Sequence, residues 1–215
     1  MKKNNIKEIT FKEEFYFSTP IWMEKKPEFL KQLKIPCDEH IKATKNKNKK
    51  LTKDNKDFGF SHHSDPIQYD VRIKDFTSYV GQRSWDFLSN QGFDLSNHTL
   101  IFTEMWVQEF AKKGGHHETH VHHNNHVSGF YFLKSSENTS CPTFHDPRPG
   151  ALMTKLPIKP GINNALEAVH FKTSTGTLMI FNSYIPHSFS VDHGKEPFRF
   201  IHWNCQAVLN AFLKR

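Results

Sequence analysis

From residue 100 onward the chain is a series of short, aromatic-rich segments, each followed by a turn signal. Residues 100–110 alternate apolar and polar types and include many aromatic and β-branched side chains, as a half-buried strand does. Similar segments follow at residues 127–133, 168–171, 177–182, 189–191 and 198–208. Dipeptides such as Asp146-Pro147 and Pro160-Gly161 separate them and favour turns. Many short strands at this spacing predict a mainly β fold, an antiparallel sandwich or barrel.

The N-terminal part of the chain has a different character. Residues 15–22, FYFSTPIW, predict an early strand, and residues 27–33 predict a short helix opened by its proline. Between residues 75 and 90 apolar side chains recur at helical spacing, with Asp75 as the expected N-cap and Gly92 as the expected stop. The predicted fold therefore has helices flanking its strands on the N-terminal side.

Length and composition favour one folded unit. A chain of 215 residues with 20 phenylalanines and 4 tryptophans can bury a substantial core, but it is short for two domains of ordinary size. We expect a single compact domain in which residues 1–99 support a strand core of residues 100–215. The two parts differ because the helical patterns lie in the first and the strand patterns in the second.

Charge and cysteine content restrict the partners. The formal net charge is +7, but much of it lies in the lysine-rich run at residues 42–56, which predicts a solvated loop rather than a nucleic-acid groove. Cys37, Cys141 and Cys205 are odd in number and widely spaced, so a disulfide framework is not expected. With no signal-peptide core and no apolar run of membrane-spanning length, we expect a cytoplasmic protein that binds neither membrane nor nucleic acid.

Histidines are concentrated in one segment, GGHHETHVHHNNHVSGFYFL. Six of the chain's 15 histidines lie between His116 and His126. Histidine-rich tracts also occur as solvated loops, but neutral imidazole is the commonest ligand for first-row transition metals. His120 and His122 have the i, i+2 spacing that puts two side chains on one face of a strand. This pair is the candidate half of a metal site.

Two residues further along could complete a site. A catalytic iron needs a third protein ligand and open positions for substrates, and His187 in NSYIPHSFSVD lies where one predicted strand ends and another begins. Arg199 follows in PFRFIHWN, inside an otherwise apolar strand. Its fork geometry suits a carboxylate, which could belong to a ligand or to a protein Asp or Glu.

The ordered motifs HVHHNNHVSGFYFL, CPTFHDPR, GTLMIFNSYIPHSFSV and EPFRF resemble those of the 2-oxoglutarate and Fe(II)-dependent dioxygenase superfamily. The resemblance covers about residues 100 to 208 and is strongest to a prolyl-hydroxylase-like branch from bacteria and bacteriophages with an H-x-H motif. It implies a double-stranded β-helix, a cupin-like jelly roll, as the catalytic core. It also implies Fe(II) and 2-oxoglutarate as cofactors, with O2 as co-substrate.

The resemblance also implies roles for individual residues. His120, His122 and His187 would hold the iron, and Arg199 would bind the distal carboxylate of 2-oxoglutarate. Ser128, Tyr131 and Gln108 are further candidates for binding the co-substrate. Arg148 and Trp106 are candidates for facing the primary substrate, although the ordinary role of Arg148 is to hold its loop through Asp146.

The chain departs from the superfamily pattern at several positions. Most members have an Asp or Glu where His122 stands. The rival sets would use Glu118 as the carboxylate, or His116 and His117 as ligands, but only the H-x-H pair keeps the family's offset to Ser128. Phe132 stands where many members have a tyrosine that binds 2-oxoglutarate, and Ile201 stands where many have a serine. Ser128 or Gln108 is then expected to compensate.

The sequence therefore predicts an Fe(II) and 2-oxoglutarate-dependent oxygenase, a hydroxylase of a peptide, protein or small molecule. Two alternatives stay open. One is a cupin-like metalloenzyme with three histidines that does not use 2-oxoglutarate, and the other is a non-enzymatic jelly-roll protein with a structural metal or none. Oligomeric state and the identity of the primary substrate do not follow from these motifs.

Overall fold

Alternating side chains assemble the strands into two facing antiparallel sheets. The structure, a computed structural model, describes residues 16–54, 61–110, 114–153, 156–161 and 164–213. Its strands are β1 Ile21–Lys25, β2 Ser61–His63, β3 His98–Phe110, β4 His117–His120, β5 Val127–Lys134, β6 Pro142–His145, β7 Ala168–His170, β8 Thr177–Asn182, β9 His187–Phe189 and β10 Arg199–Leu209. Its helices are α1 Phe29–Asp54, α2 Lys74–Ser89 and α3 Asn210–Leu213, with single 3-10 turns at Val71–Ile73 and Pro149–Leu152.

The larger sheet has the strand order β1-β8-β5-β10-β3-β2, and the smaller one has the order β4-β9-β6-β7. From β3 onward the chain passes back and forth between the larger and the smaller sheet, and only β6 and β7 follow one another within the same sheet. This is the arrangement of a double-stranded β-helix. The predicted mainly β jelly roll with N-terminal helices is therefore confirmed. Strands β1 and β2, from the N-terminal part, extend the larger sheet at its two edges.

The larger sheet buries both of its faces. One face packs against α1 and α2 through residues such as Ile201, Trp203 and Phe76. The other face meets the smaller sheet across a cluster that is almost entirely phenylalanine. Its buried members are Phe110, Phe130, Phe132, Phe144, Met179, Phe181, Ile185, Phe189, Phe198 and Phe200. Because side chains alternate along a strand, each residue of β10 belongs to one face only.

Helix α1 corrects one prediction. The lysine-rich run of residues 42–56 was expected to be a loop, yet its residues are helical as far as Asp54, and the last two lie outside the described part. Leu33, Cys37 and Ile41 recur every four residues or so and are buried against the sheet. This apolar stripe docks the helix, while Lys42, Lys47 and Lys49 are exposed to solvent.

Most of the other predicted strands and the second helix are confirmed to within a few residues. The short helix predicted at residues 27–33 is instead the first part of α1, and the strand predicted at residues 15–22 begins only at Ile21. Helix α2 ends as expected before Gly92, whose φ of +91° only glycine adopts readily. Asp75 is not its N-cap, because the helix begins at Lys74. Strand β8 has the predicted bounds. Among the described residues no helix is long and apolar enough to cross a membrane.

Candidate metal centre

Three histidines meet where the smaller sheet faces the larger one. His120 is the last residue of β4 and His187 the first of β9, and the two are direct partners in the antiparallel pairing of these strands. His122 lies two residues after His120, where its backbone N–H donates to the carbonyl of Ser183 at 3.0 Å. One ring nitrogen from each histidine lies within 4.8 Å of the others. The structure thus brings together the three histidines that the sequence singled out.

Backbone carbonyls fix the tautomer of two of these rings. His120 Nδ1 lies 2.7 Å from the carbonyl oxygen of Glu118, and His187 Nδ1 lies 2.9 Å from that of Ile185. A carbonyl only accepts, so each Nδ1 carries the hydrogen and donates it. The Nε2 atom of each ring therefore carries the lone pair that a metal would bind, and the contact with the carbonyl holds the direction of the ring.

The third ring sits in a polar network. His122 Nε2 lies 3.2 Å from His187 Nε2, and His122 Nδ1 lies 3.2 Å from the amide nitrogen of Asn204. The same amide nitrogen donates to Glu104 Oε2 at 3.0 Å, while Ser128 Oγ donates to Asn204 Oδ1 at 2.6 Å. With this amide orientation Nδ1 accepts and Nε2–H donates to His187. A metal bound at Nε2 has to displace that proton.

Burial keeps the His122 and His187 rings neutral. Desolvation, followed by the neighbouring histidines, lowers the pKa of His122 to about 3, and desolvation lowers the pKa of His187 to about 3. The same two causes lower the pKa of His117 to about 4 and hold that of His202 well below its ordinary value. Neutral imidazoles present lone pairs at pH 7, which is the state that a metal needs.

A small cavity of about 20 Å³ lies beside these rings. Its polar side includes Gln108, whose Nε2 donates to Ser61 Oγ at 2.6 Å and also contacts His117. Trp106 Nε1 donates to Gln108 Oε1 at 3.4 Å, so the two candidates from β3 line the cavity together. The remaining lining residues are His120, His122, Phe130, His187, Phe189, Phe200 and His202.

His202 and Asn204 were missed from the sequence. Both lie on the inner face of β10, and the His202 ring stacks on His122 at 4.5 Å between centroids. His202 Nε2 lies 3.1 Å from Asn204 Oδ1, to which it donates. The strict alternation of FRFIHWN, which puts Phe200, His202 and Asn204 on one face, was the signal that could have identified them.

Arg199 lies on the opposite face of β10 from His202. Its Nε donates to Glu109 Oε2 at 2.6 Å, its Nη2 lies 2.6 Å from the same oxygen, and its Nη1 pairs with Asp38 of α1. Lys45 of α1 pairs with the other oxygen of Glu109. The side chain of Arg199 is thus occupied by protein carboxylates, the alternative role that the sequence left open. The structure does not bring it to the histidines.

The other predicted residues are divided between the site and its surroundings. Ser128 is buried beside the histidines, bonded to Asn204 and, at 2.8 Å, to Ser183 Oγ. Tyr131 points to the helix side of the sheet, where its hydroxyl donates to the carbonyl of Lys26 at 2.6 Å. It is therefore not brought to the co-substrate position. The corresponding expectation for Tyr131 fails because neighbouring residues of a strand face opposite ways.

Arg148 lies at a second, larger cavity of about 350 Å³ that Phe144 and Ile185 also line. Its Nε and Nη2 donate to the two oxygens of Asp146 at 2.9 and 2.7 Å, so it holds its loop as its ordinary role requires. Of the rival ligands, Glu118 is exposed and does not belong to the ligand cluster found among the described residues.

Comparison with known proteins relates the part of the chain that holds the histidines to a family. Residues 104–201, which run from β3 into β10 and include all three histidines, match the family described as "Putative 2OG-Fe(II) oxygenase". This stretch is similar to the 2-oxoglutarate and Fe(II)-dependent oxygenases. No curated protein matches the chain in sequence.

Solved structures resemble this chain in fold. A prolyl-4-hydroxylase from Pseudomonas putida is 12% identical over 88% of this chain and 94% of its own, with a TM-score of 0.53. AviO1 from Streptomyces viridochromogenes Tue57 is 11% identical over 87% and 90%, with a TM-score of 0.55. A Trichoplax adhaerens prolyl hydroxylase, in complex with a hypoxia inducible factor peptide fragment, is 9% identical over 86% and 82%, with a TM-score of 0.51. At these identities the likeness shows the fold alone.

The family match implies Fe(II) and 2-oxoglutarate as cofactors, and the residues present fit the iron. Three imidazoles, each with one ring nitrogen within 4.8 Å of the other two, are suitable ligands for a first-row metal. The residues around the histidines do not fit the distal carboxylate of 2-oxoglutarate equally well. Among the described residues that line the histidine cavity none is a lysine or arginine, and the apolar cluster behind it is aromatic.

Proposed function

We propose that this chain is an Fe(II)-dependent oxygenase that hydroxylates its substrate with O2 and a 2-oxo acid, for which the family match implies 2-oxoglutarate. The observation that carries the proposal is the convergence of His120, His122 and His187, two of them held in the metal-binding tautomer by backbone carbonyls. When bound, iron and the 2-oxo acid supply O2 activation, which no protein side chain provides.

The protein's own residues orient and shield this chemistry. Asn204 and the two carbonyls direct the imidazole rings. The rings of Phe130, Phe189 and Phe200 close the inner side of the cavity, so a reactive oxidant formed there would be kept from bulk water. Trp106 lies on the polar side of the same cavity and is our candidate for a substrate contact.

The primary substrate is proposed as a peptide or protein side chain, with a small molecule as the alternative. Support comes from the prolyl-4-hydroxylase likeness in fold and from the 350 Å³ cavity lined by Arg148. Ile185 lies in the wall of this cavity, and its carbonyl orients His187, so the cavity adjoins the metal centre. Arg148 could meet an acidic group of such a substrate.

Metal binding tests the first step of the proposal. We expect wild-type protein to bind one Fe(II) per chain under anaerobic conditions, and His120→Ala to lose most of the affinity. His123→Ala is the matched control, because His123 is exposed and lies outside the ligand cluster. Equal loss in both variants would show that the histidine-rich segment binds metal without a defined site.

Turnover tests the second step. The iron-loaded protein should release CO2 from a 2-oxo acid in an O2-dependent reaction, and this release should vanish in His187→Ala. A three-histidine enzyme that needs no 2-oxo acid is the second candidate, favoured by His122 standing where a carboxylate ligand is usual. Tight iron binding without any 2-oxo acid decarboxylation would decide for that candidate.

A further inference from the structure

The inner end of the barrel is closed by aromatic rings. Phe130, Phe189 and Phe200 form the wall of the histidine cavity, and Phe198 and Phe132 lie stacked behind them at 5.8 Å between centroids. All five are at most 4% exposed. A co-substrate that chelates the metal and extends inward meets this wall. The wall offers dispersion contacts but no hydrogen-bond donor.

The polar side of the histidine cavity, opposite this aromatic wall, offers only uncharged hydrogen-bond donors and acceptors. Trp106, Gln108 and His117 line it, and the Gln108 amide is already bonded to Ser61 and His117. The arginine in the nearest strand, Arg199, is on the helix side with its guanidinium between two carboxylates. A carboxylate at the far end of a bound co-substrate would therefore be buried without a cation among the described residues.

Phe198 directly precedes Arg199, the first residue of β10. It lies with Phe200 in the aromatic cluster between the sheets and is fully buried, with Phe110 and Phe189 packed on it. A cation placed here would point into the barrel, where a dicarboxylate's far end would lie. This chain has an apolar ring there instead, so the pocket is shaped for a co-substrate without a second charge.

We infer that the metal centre takes a short 2-oxo monocarboxylate, such as pyruvate or 2-oxobutyrate, in preference to 2-oxoglutarate. The inference rests on the proposed oxygenase function. The reaction balances without any further reductant: R–CO–COO⁻ + O2 + substrate C–H gives R–COO⁻ + CO2 + C–OH. Cleavage of the 2-oxo acid supplies two electrons and the C–H bond supplies two. One atom of O2 enters R–COO⁻ and the other enters C–OH.

Binding to the metal centre tests the preference directly. Wild-type protein with Fe(II) is titrated anaerobically with 2-oxobutyrate, pyruvate and 2-oxoglutarate, following the visible charge-transfer band of the metal chelate. We expect the dissociation constant of 2-oxoglutarate to be at least about tenfold higher than that of 2-oxobutyrate. A tenfold difference corresponds to only a small part of the free-energy cost of burying an unpaired carboxylate. Equal or tighter binding of 2-oxoglutarate overturns the inference.

Two variants examine the cause. Phe198→Arg puts a cation on the inner face and should shift the ratio towards 2-oxoglutarate, as should the smaller change Phe132→Tyr, which adds a hydroxyl donor. Arg199→Met is the control and should leave the ratio unchanged. If Arg199→Met or His117→Gln selectively weakens 2-oxoglutarate, that residue is the anchor for a second carboxylate and the inference is overturned.

The same titration separates this inference from the proposed function. If iron binds but none of the three 2-oxo acids gives a band, the 2-oxo acid oxygenase proposal itself fails. If 2-oxoglutarate gives the strongest band, the proposed function stands and only the preference for a monocarboxylate is overturned.

Discussion

Replacement of Arg199 by methionine separates a structural role from a co-substrate role. In the structure Arg199 is 6% exposed and its partner Glu109 is 1% exposed, so both residues are buried. Burial opposes the charge of Glu109, yet Lys45 and Arg199 together hold the pKa of its carboxyl below the usual value. Methionine fills similar space but leaves Glu109 with one cation fewer.

The expected loss follows from this geometry. Removing one partner of a buried ion pair costs about 3–5 kcal/mol, because the other charge is left without compensation. Lys45 still pairs with Glu109 and Asp38 is partly exposed, so we expect a value near the lower end, about 3 kcal/mol. With a denaturant slope of about 1–3 kcal/mol per molar, the urea midpoint should fall by about 1–3 M.

Urea unfolding and iron titration on the same variant provide the assay. The double variant Arg199→Met, Glu109→Gln should recover much of the lost stability, since no buried carboxylate then lacks its partner. Fe(II) affinity should be unchanged in both. Normal stability of Arg199→Met, combined with selective loss of 2-oxoglutarate binding, would refute the assignment of Arg199 to the helix side of the sheet.

Two further predictions concern stability. In metal-free protein, the folded-state pKa values of buried histidines such as His187 (about 3) and His202 lie below the unfolded value near 6.5. The unfolded state therefore binds more protons than the folded state below pH 6.5. The free energy of unfolding should fall by about 1.4 kcal/mol per pH unit for each such histidine as the pH is lowered. A urea midpoint that stays constant from pH 7.5 to 5 would contradict this. Gly129→Ala should cost about 1–3 kcal/mol, because a Cβ would lie 2.1 Å from Trp203 Cζ2, while Gly150→Ala, with nothing within 4 Å, is the control in thermal unfolding.

The sequence predicted those strands in which burial determines where apolar side chains occur along the strand. Strands β3, β5, β8 and β10 are long, aromatic and branched, and their alternation is visible without a structure. Strands β2, β4 and β6, with the sequences SHH, HETH and PTFH, are short and largely polar, so no period distinguishes them from loops. Their pairing depends on neighbours that are distant in sequence.

The parts of the candidate site that depend on residue spacing could be predicted from the sequence. The parts that depend on strand register, which sets the side chains that face the barrel, could not. His120 and His122 were found from their i, i+2 spacing, and His187 from its place at a strand end. Arg199 and Phe198 differ by one residue, and which of them faces the barrel is set by the pairing of β10 with β3 and β5. A shift of one residue exchanges a charged interior for an aromatic one.

The docking of α1 has a consequence for the order in which parts of the molecule open. The many lysines of α1 repel one another, so the helix would gain little stability in isolation. It therefore depends on the burial of its apolar stripe and on the ion pairs of Lys45 with Glu109 and of Asp38 with Arg199. Surface parts of such contacts weaken as ionic strength rises. We expect amide protons of α1 to exchange with solvent before those of β10, and faster in high salt. The helical layer is then a separable cooperative unit, able to open on the back of the sheet while the histidines on its front remain assembled.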